Sequence, residues 1–544
     1  MNCNKLILIW VLFWCPYFLY GQEQPNIIWI SCEDISPYLA AYGDSTATTP
    51  HIDALAAEGV VYENAFAVAG VCAPSRSCII TGMYPTYLGT NHMRTGRDIT
   101  GWGNQTYRAN KGVVDVLGEN VREYSAVIPG EVKCFPEYLR AAGYFCSNNA
   151  KTDYQFAAPL SAWDENDGKA HWRNRAPERP FFAVFNFNET HESKLWAHQD
   201  LPLTVDPASV KIPPYFPDQE TVRKDIARQY SNIMLMDQRV GEIIAQLKAD
   251  GLYEDAYIFF FSDHGGALPR SKREVMSSGL KVPLIIKYPA GHQNTGRSER
   301  LTSFLDLAPT VLEMAGVEPP EHLQGESILS GDHEYVFAAR DRMDETTVRR
   351  RMVTDGRWLL IQHQLPEASH YQEIQYRYKV PIMKLWKDLY ENGKLNSVQE
   401  NWFQSPEGEW ELYDLKRDPY EIHNLAGDPV TTEEFNRLAK ALKGWQDQIP
   451  DRCRQPESQL IAEMWPGGIQ PKTEEVSAKA RGGKWVLQCP MPGASIIWRA
   501  AKGKWQLYHE PLKMKGASAA VEVKAVRIGY QDSEMLTIPL KEDI

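Results

Sequence analysis

The stretch Val71-Cys72-Ala73-Pro74-Ser75-Arg76-Ser77, followed by the apolar Cys78-Ile79-Ile80, is the segment from which the fold can be predicted. Pro74 suits the first turn of a helix, because its missing N–H would lack a partner there in any case. A helix that starts here presents free backbone N–H groups and the positive end of its dipole beside Cys72, which favours a bound tetrahedral oxyanion. Arg76, one turn further on, adds a planar positive charge. The stretch therefore predicts a site for sulfate or phosphate.

Two apolar runs typical of buried parallel strands lead directly into side chains that can bind a metal. Asn26-Ile27-Ile28-Trp29-Ile30-Ser31 is followed by Cys32-Glu33-Asp34, and the run 256–262 is followed by Asp263-His264. Ligands of open α/β sheets lie at the carboxyl ends of the strands, and carboxylate oxygens suit Ca²⁺ or Mg²⁺. A solvent-exposed acidic turn is the alternative interpretation of the first pair.

The pentapeptide 72–76 resembles the Cys-x-Pro-Ser-Arg signature of the type I, formylglycine-dependent sulfatases of the alkaline phosphatase superfamily. In that family the cysteine is oxidised after translation to formylglycine (3-oxoalanine). Further segments resemble family motifs in the same order along the chain: 49–56, 148–154, 263–266, 272–279, 303–312 and 416–425. The resemblance spans roughly residues 25 to 450. It implies an alkaline-phosphatase-like α/β fold, with a mixed sheet sandwiched by helices, of the polysaccharide-active bacterial type.

The resemblance also implies a metal site, formed by Glu33, Asp34, Cys72, Asp263 and His264. Ca²⁺ is the expected ion and Mg²⁺ is the second choice, because the ligand set is rich in oxygen. His264 brings a nitrogen ligand, which loosens the calcium assignment. Glu33 is one methylene longer than the aspartate that family members usually carry, so it can change how the ion is held.

The catalytic residues implied by the same resemblance are Cys72, Arg76, Lys151, Asp153, His191 and Lys272. A formylglycine hydrate at position 72 attacks sulfur, and its second hydroxyl then expels sulfate. The three basic side chains neutralise charge on the transferring sulfuryl group. His191, which follows the apolar run 180–187, is the expected general acid for a poor sugar leaving group. Asp153 stands where the family carries a histidine, so either this carboxylate or another group takes that role.

The overall charge limits the partners of the protein. The chain of 544 residues is 43% hydrophobic and carries a net charge of −12. Binding to nucleic acid or to an anionic membrane requires clustered Lys and Arg, so neither is an expected partner. Positive charge for an anionic substrate must therefore be local to the pocket. The basic side chains of the loop 91–97, His92, Arg94 and Arg97, are candidates for such contacts.

Five segments are predicted along the chain: a signal peptide (1–21), a sulfatase-like α/β core (22–330), a C-terminal subdomain with a small antiparallel sheet (331–452), a linker (453–482) and an appended small β-sandwich (483–544). Lys5, the apolar residues 6–20 and Gly21 are typical of a signal peptide. The apolar run is shorter than the ~20 residues that a spanning helix needs. We therefore predict an exported protein, periplasmic or secreted, without stable membrane insertion.

The predicted function is hydrolysis of sulfate esters on a sulfated polysaccharide or its oligosaccharides. Algal polysaccharides such as ulvan or carrageenan, and glycosaminoglycans, all stay open as substrates. The expected partner is a formylglycine-generating enzyme or an anaerobic sulfatase-maturating enzyme. Two alternatives are a phosphodiester or phosphonate ester hydrolase of the same superfamily and a non-catalytic protein that binds sulfated glycans.

Overall fold

A computed structural model of the protein describes residues 24–96, 98–292, 294–500, 503–513 and 520–540. The predicted signal peptide, at residues 1–21, and the basic residue Arg97 lie outside these described residues. At the centre of the described chain is a large mixed β-sheet.

The central sheet has eight strands, which in chain order are β1 (Asn26–Cys32), β2 (Val60–Phe66), β3 (Phe145–Asn149), β4 (Glu165–Asn166), β5 (Phe181–Phe187), β6 (Ala256–Ser262), β7 (Leu284–Lys287) and β8 (Gly296–Ser303). Their order across the sheet is β8-β2-β7-β6-β1-β5-β3-β4. β7 runs antiparallel to β2 and β6, and the other neighbours pair in parallel. The three apolar runs of the sequence are β1, β5 and β6, which lie side by side at the centre.

Helices cover both faces of this sheet. The α-helices are α1 (Pro50–Glu58), α2 (Cys72–Thr81), α3 (Pro85–Leu88), α4 (Pro136–Ala141), α5 (Ser193–Ala197), α6 (Glu220–Ala249), α7 (Ser277–Leu280), α8 (Leu307–Met314), α9 (Pro381–Glu391), α10 (Ser397–Glu400), α11 (Thr432–Gln448) and α12 (Glu457–Met464). Ile28 and Ile30 of β1 share a buried cluster with α6, whereas Trp29 shares one with α2 and α8. The predicted sandwich of helices around a mixed sheet is confirmed. Among the described residues, no helix combines the length and the apolar character that crossing a membrane requires.

A second sheet packs against the core, as predicted. Its strands β9 (Val336–Met343), β10 (Thr346–Thr354), β11 (Trp358–His363) and β12 (Trp410–Asp414) are antiparallel and lie in this order. On one face Met352 and Ile361 are buried with Phe66 of β2. On the other face Leu360 belongs to the same buried cluster as Leu442 of α11. This sheet brings its own loops to the carboxyl edge of the central sheet.

The segment 453–482, predicted as a linker, is largely folded onto the core. It contains α12, whose Leu460 is fully buried in a cluster with residues 121–126. Glu457 of the same helix is ion-paired with the buried Arg342. The linker prediction is therefore wrong for this helix. Its apolar residues are few and lie between Pro and Gly residues, and their packing partners are distant in the chain, so no periodic pattern revealed them.

The C-terminal tail forms two antiparallel sheets with a buried cluster between them, in agreement with the predicted β-sandwich. Their strands are β13 (Ser477–Arg481), β14 (Lys484–Gln488), β15 (Ser495–Ala500), β16 (Gln506–Leu507), β17 (Leu512–Lys513), β18 (Ala520–Val526) and β19 (Leu536–Pro539). The sandwich begins with β13, so the predicted boundary at 483 is too late. This strand was missed because it is a mostly exposed edge strand without apolar alternation. The sandwich contacts the core, where Ser495 Oγ donates a hydrogen bond to Glu137 Oε2 at 2.5 Å.

Replacing Leu460 by alanine should lower the free energy of unfolding by about 2–5 kcal/mol, because the change leaves a cavity in a buried cluster. Thermal denaturation followed by circular dichroism measures this as a lower Tm. Ile469→Ala is the matched control, because this side chain in the same segment is 72% exposed. Equal Tm values for the two variants would show that α12 contributes nothing to the fold and that the segment is a linker.

Candidate active site

Cys72 is the first residue of α2, whereas the sequence placed it just ahead of the helix. The whole of α2 is buried, and its N-terminus faces the carboxyl edge of the central sheet. Cys72 Sγ lies 3.3 Å from His264 Nε2 and 3.8 Å from Glu33 Oε2. The cysteine is therefore surrounded by side chains that were predicted to hold a metal.

The two predicted metal-binding pairs meet at this edge. β1 and β6 are parallel neighbours, so the residues that follow them, Glu33-Asp34 and Asp263-His264, lie side by side. His264 Nε2 is 3.0 Å from Asp34 Oδ1 and 3.6 Å from Asp263 Oδ1. All four side chains are buried. The structure thus brings together the residues that the sequence placed after two separate strands.

Three basic side chains balance these acids. Their contacts are Lys151 Nζ to Glu33 Oε2 at 2.5 Å, Lys272 Nζ to Asp34 Oδ2 at 2.5 Å, and Arg76 Nε to Asp263 Oδ2 at 3.1 Å. Arg76 also donates to Asn186 Oδ1 through both terminal nitrogens at 3.0 Å. Each basic group that was predicted to bind sulfate therefore lies in the same cluster, fixed by a carboxylate.

The electrostatic field at Cys72 favours negative charge. Burial opposes ionisation, but the ammonium groups of Lys151 and Lys272 lower the pKa of the Cys72 thiol to about 6. Burial also opposes ionisation of Glu33, yet Lys151 and His191 hold the pKa of its carboxyl at about 2. An anion placed at the N-terminus of α2 is stabilised by the same charges.

The cluster has the composition of a site for a divalent cation. Asp34 Oδ1 and Asp263 Oδ1 are buried and accept no hydrogen bond in the described part of the chain. Such oxygens are costly to bury unless a cation or a donor compensates them. Two groups offer ligand atoms within 4.8 Å of one another: Glu33, Asp34, Cys72 and His191, and Cys72, Asp263 and His264. The residues present therefore fit a metal ion.

His191 follows β5 and lines the pocket above this cluster. Its Nδ1 is 2.8 Å from Ser193 Oγ, and its Nε2 is 3.8 Å from Glu33 Oε2. Burial and the charge of Lys272 act to lower the pKa of His191, but the carboxylates of Asp34 and Glu33 outweigh them and raise it above its ordinary value. The ring therefore holds a proton more readily than a free imidazole does.

Asp153 lies between two cations. Its carboxylate oxygens are 3.8 Å from Arg94 Nη1 and 3.5 Å from Lys151 Nζ. Burial opposes ionisation, but Arg94 and Lys151 hold the pKa of the Asp153 carboxyl below its usual range. An ionised carboxylate is a poor proton donor, so this residue is suited to hold its two basic neighbours in place.

A pocket of about 590 Å³ reaches this cluster at Glu33, Lys151, Asp153, His191 and Lys272, whereas Cys72 and Arg76 are buried outside its wall. The sequence analysis missed several residues of its wall: Asn186, Asn188, Glu192, Arg273, Asp344 and Tyr376. Arg273 donates to both carboxylate oxygens of Glu192, at 2.9 and 2.6 Å. Arg273 could have been predicted from the sequence, because it directly follows Lys272. Asp344 and Tyr376 belong to the C-terminal subdomain, and no motif marks them.

The basic loop 91–97 contributes less than expected. Arg94 lines the pocket. His92 does not, because its buried ring lies beside α12, 3.9 Å from Glu457 Oε2. The expectation that His92 contacts substrate is therefore wrong.

Comparison with known proteins gives the family of the chain. The Sulfatase family model matches residues 25–154 and 166–317. An ulvan-active sulfatase from Formosa agariphila is 38% identical over 563 residues, which cover 95% of this chain and 91% of the relative. The N-sulphoglucosamine sulphohydrolase of Homo sapiens is 26% identical over 487 residues, which cover 78% of this chain and 90% of the relative.

Solved structures share the fold. BT4656, in complex with its substrate D-glucosamine-2-N,6-O-disulfate, has a TM-score of 0.53 at 18% identity and covers 79% of this chain and 99% of its own. A phosphonate monoester hydrolase from Silicibacter pomeroyi has a TM-score of 0.56 at 18% identity, with 79% and 96% covered. These similarities confirm the expected alkaline-phosphatase-like fold. The family match over about half of the chain, together with the 38% identical relative, shows that the chain belongs to the sulfatase family.

Proposed function

We propose that this sulfatase removes sulfate esters from a sulfated polysaccharide, or from its oligosaccharides, by means of formylglycine made from Cys72. The observation that carries the proposal is the position of Cys72, at the N-terminus of a buried helix, where Lys151 and Lys272 favour an anion. Ulvan is the first substrate to test, because the 38% identical relative aligned over 95% of this chain is an ulvan-active sulfatase. Carrageenan and glycosaminoglycans are the next candidates.

Formylglycine at position 72 would supply the nucleophile as its hydrate, together with a second hydroxyl that releases sulfate and restores the aldehyde. The charges of Arg76, Lys151 and Lys272 all act on position 72, and they would neutralise charge that develops on the sulfuryl group. Because Asp263 and Asn186 hold the Arg76 guanidinium from two sides, its orientation is set before substrate binds. Preorganised charge of this kind requires little rearrangement during the reaction.

His191 is the proposed general acid. Its Nδ1 is engaged by Ser193 Oγ at 2.8 Å, which fixes the ring, and the ring lines the substrate pocket. The proton passes to the sugar oxygen as the sulfur–oxygen bond breaks, so that an alcohol leaves instead of an alkoxide. Asp153 is proposed to position Lys151 and Arg94, because it is ionised between them.

Glu33, Asp34, Asp263 and His264 would hold a divalent cation, for which we infer Ca²⁺. This ligand set combines Asp and Glu carboxylates with an imidazole, so its coordination geometry is irregular. Ca²⁺ accepts irregular geometry more readily than Mg²⁺ does. The bound ion would polarise an oxygen of the sulfate group.

Maturation and export are also part of the proposal. The Cys72 side chain is fully buried in the folded protein, so a formylglycine-generating enzyme or an anaerobic sulfatase-maturating enzyme must reach it before folding is complete. The apolar run at 6–20 supports export of the chain to the periplasm or the medium.

A phosphonate ester hydrolase is the second candidate, because the Silicibacter pomeroyi phosphonate monoester hydrolase has the same fold.

One experiment separates the two functions. Protein whose Cys72 is shown by mass spectrometry to be converted is incubated with defined ulvan, carrageenan and glycosaminoglycan oligosaccharides and with phosphonate monoesters. Release of sulfate from ulvan fragments supports the proposal, and turnover of phosphonates alone contradicts it. Tight binding of a sulfated glycan without release would indicate the non-catalytic alternative.

Cys72→Ser should lose sustained sulfate release, because a serine ester of sulfate has no second hydroxyl with which to expel sulfate. Desulfated sugar should appear at no more than about one equivalent per enzyme molecule, and ion chromatography should detect no free sulfate because the sulfuryl group stays on the serine; a typical enzyme completes about 10 turnovers per second. Cys489→Ser is the control, because this thiol is partly exposed and lies in the C-terminal sandwich. Continued turnover by Cys72→Ser would rule out the formylglycine mechanism.

His191→Ala should lower kcat on sugar sulfates by about 10²–10⁴-fold, because general acid catalysis contributes about this much. The loss should be much smaller on 4-nitrophenyl sulfate, whose leaving group needs no proton. Asp153→Asn is the matched variant. If Asp153 only positions Lys151, this substitution should lower kcat by a similar factor for both substrates. An equal loss for both substrates in His191→Ala would contradict the assignment of His191.

Removal of bound metal with EDTA should abolish sulfate release, and added Ca²⁺ should restore it. Asp263→Asn should raise the Ca²⁺ concentration for half-activity by at least about tenfold, because it removes a charged ligand. Asp332→Asn is the control, since this carboxylate is 85% exposed. Full activity in a preparation that atomic emission shows to be free of metal would contradict the cation site.

A further inference from the structure

A second cluster of metal-ligating side chains lies away from Cys72, beneath the C-terminal sheet. It consists of His363, His370 and Glu411, whose ligand atoms lie within 4.8 Å of one another. It shares no residue with the two groups around Cys72. The three side chains are almost completely buried, with exposed fractions of 2%, 3% and 4%.

The three ligands come from separate, well-fixed segments. His363 is the last residue of β11, and Glu411 lies on β12 opposite Ile361, so both side chains project from the same face of the sheet. His370 belongs to the loop after β11. Its backbone N–H donates a hydrogen bond to the carbonyl oxygen of Gln404 at 3.2 Å, which holds the loop in place. The cluster therefore joins a loop to two strands.

Three polar atoms of the cluster are buried without a hydrogen bond among the described residues: His363 Nε2, His370 Nδ1 and Glu411 Oε2. His370 Nε2 is 2.7 Å from Glu411 Oε1, so these two side chains are paired. His363 Nε2 is 3.1 Å from Glu411 Oε2, but neither atom has a hydrogen bond of acceptable geometry among the described residues. Buried polar atoms are rarely left without a partner, and a cation would supply one for both.

The positively charged side chain next to the cluster already has other hydrogen-bond partners. Arg350 lies directly opposite His363 on β10. Its guanidinium donates to Glu274 Oε2 at 2.9 Å and to Ser369 O at 3.3 Å, so its hydrogen bonds point to other partners. A cavity of about 10 Å³, lined in part by His370, Asn401 and Trp402, adjoins the cluster. This is about the space that one water molecule needs.

We propose that His363, His370 and Glu411 bind a zinc ion, as a second metal site separate from the catalytic cation. Two imidazole nitrogens and one carboxylate oxygen are the ligands of zinc sites that keep one position for water. Ca²⁺ and Mg²⁺ bind through oxygen and do not fit a set with two imidazoles.

The site would fix a loop that serves the substrate pocket. A few residues after His370 the same loop supplies Tyr376, which lines the pocket. It next supplies Arg377, whose Nη2 is 3.5 Å from Glu274 Oε1. Zinc held between this loop and β11 and β12 would keep Tyr376 in place, so the metal has a structural role in the pocket.

The test uses the full chain, stripped of metal, incubated with Zn²⁺ in the presence of excess Ca²⁺ and then dialysed. Elemental analysis should find about one zinc per chain. Zinc-edge X-ray absorption of the wild-type protein should show two imidazole ligands and Zn–N distances of about 2.0–2.1 Å. Absence of bound zinc, or a spectrum without imidazole scattering, would overturn the proposal without the use of any variant.

Variants then locate the ion. His363→Ala/His370→Ala and the milder Glu411→Gln should each lose at least about tenfold in zinc affinity. Both should show faster backbone hydrogen exchange over 364–380. Asp263→Asn should keep its zinc, because it changes only the catalytic cluster. His333→Ala is the matched control, since its ring contacts Asp306 without a second histidine. Zinc that stays in the double variant, or that is lost from Asp263→Asn, would place the ion elsewhere and overturn the proposal.

Discussion

Charge balance at one buried edge of the central sheet is the constraint on which this structure depends. Removing an ionised group from water costs several kcal/mol unless an opposite charge compensates it. Here Glu33, Asp34 and Asp263 are matched by Lys151, Lys272 and Arg76 at 2.5 to 3.1 Å. The loss of any one of these groups would leave its partner buried without its closest opposite charge. The arrangement that would bind a sulfate ester is therefore also part of what determines the folded state.

The members of these pairs come from different parts of the chain, so no local segment can form them alone. The acids follow β1 and β6, which must be parallel neighbours for the two groups to meet. Lys151 arrives from the loop after β3, and Arg76 lies on α2, which is buried along its length. The order of the strands and the position of α2 thus determine which charged side chains meet in the site. For this reason a few buried strands were enough to predict most of the site residues.

This dependence also explains what could be predicted from the sequence. β1, β5 and β6 were evident because each is a continuous apolar run followed by polar side chains, and the Cys72 motif identified α2. α12 escaped prediction because its few apolar residues lie between Pro and Gly and pack against a distant segment. Tyr376 escaped for a related reason. It lines the pocket only because a second sheet packs against the core, and nothing in its local sequence records that contact.

The close contacts of the two lysines also suggest how the site accepts an anion. Lys272 Nζ and Lys151 Nζ each lie 2.5 Å from a carboxylate oxygen, and that contact supplies the charge each carboxylate needs. Asp34 Oδ1 and Asp263 Oδ1 accept no hydrogen bond among the described residues and lie beside the His264 ring, so these oxygens can take up a cation. A divalent cation on these oxygens would weaken the hold of the carboxylates on the lysines, because opposite charges compete for the same partner. The ammonium groups would then be free to contact a sulfate group. The acids and the bases of the cluster would therefore act as one unit, in which a bound cation would prepare the site for an anionic substrate.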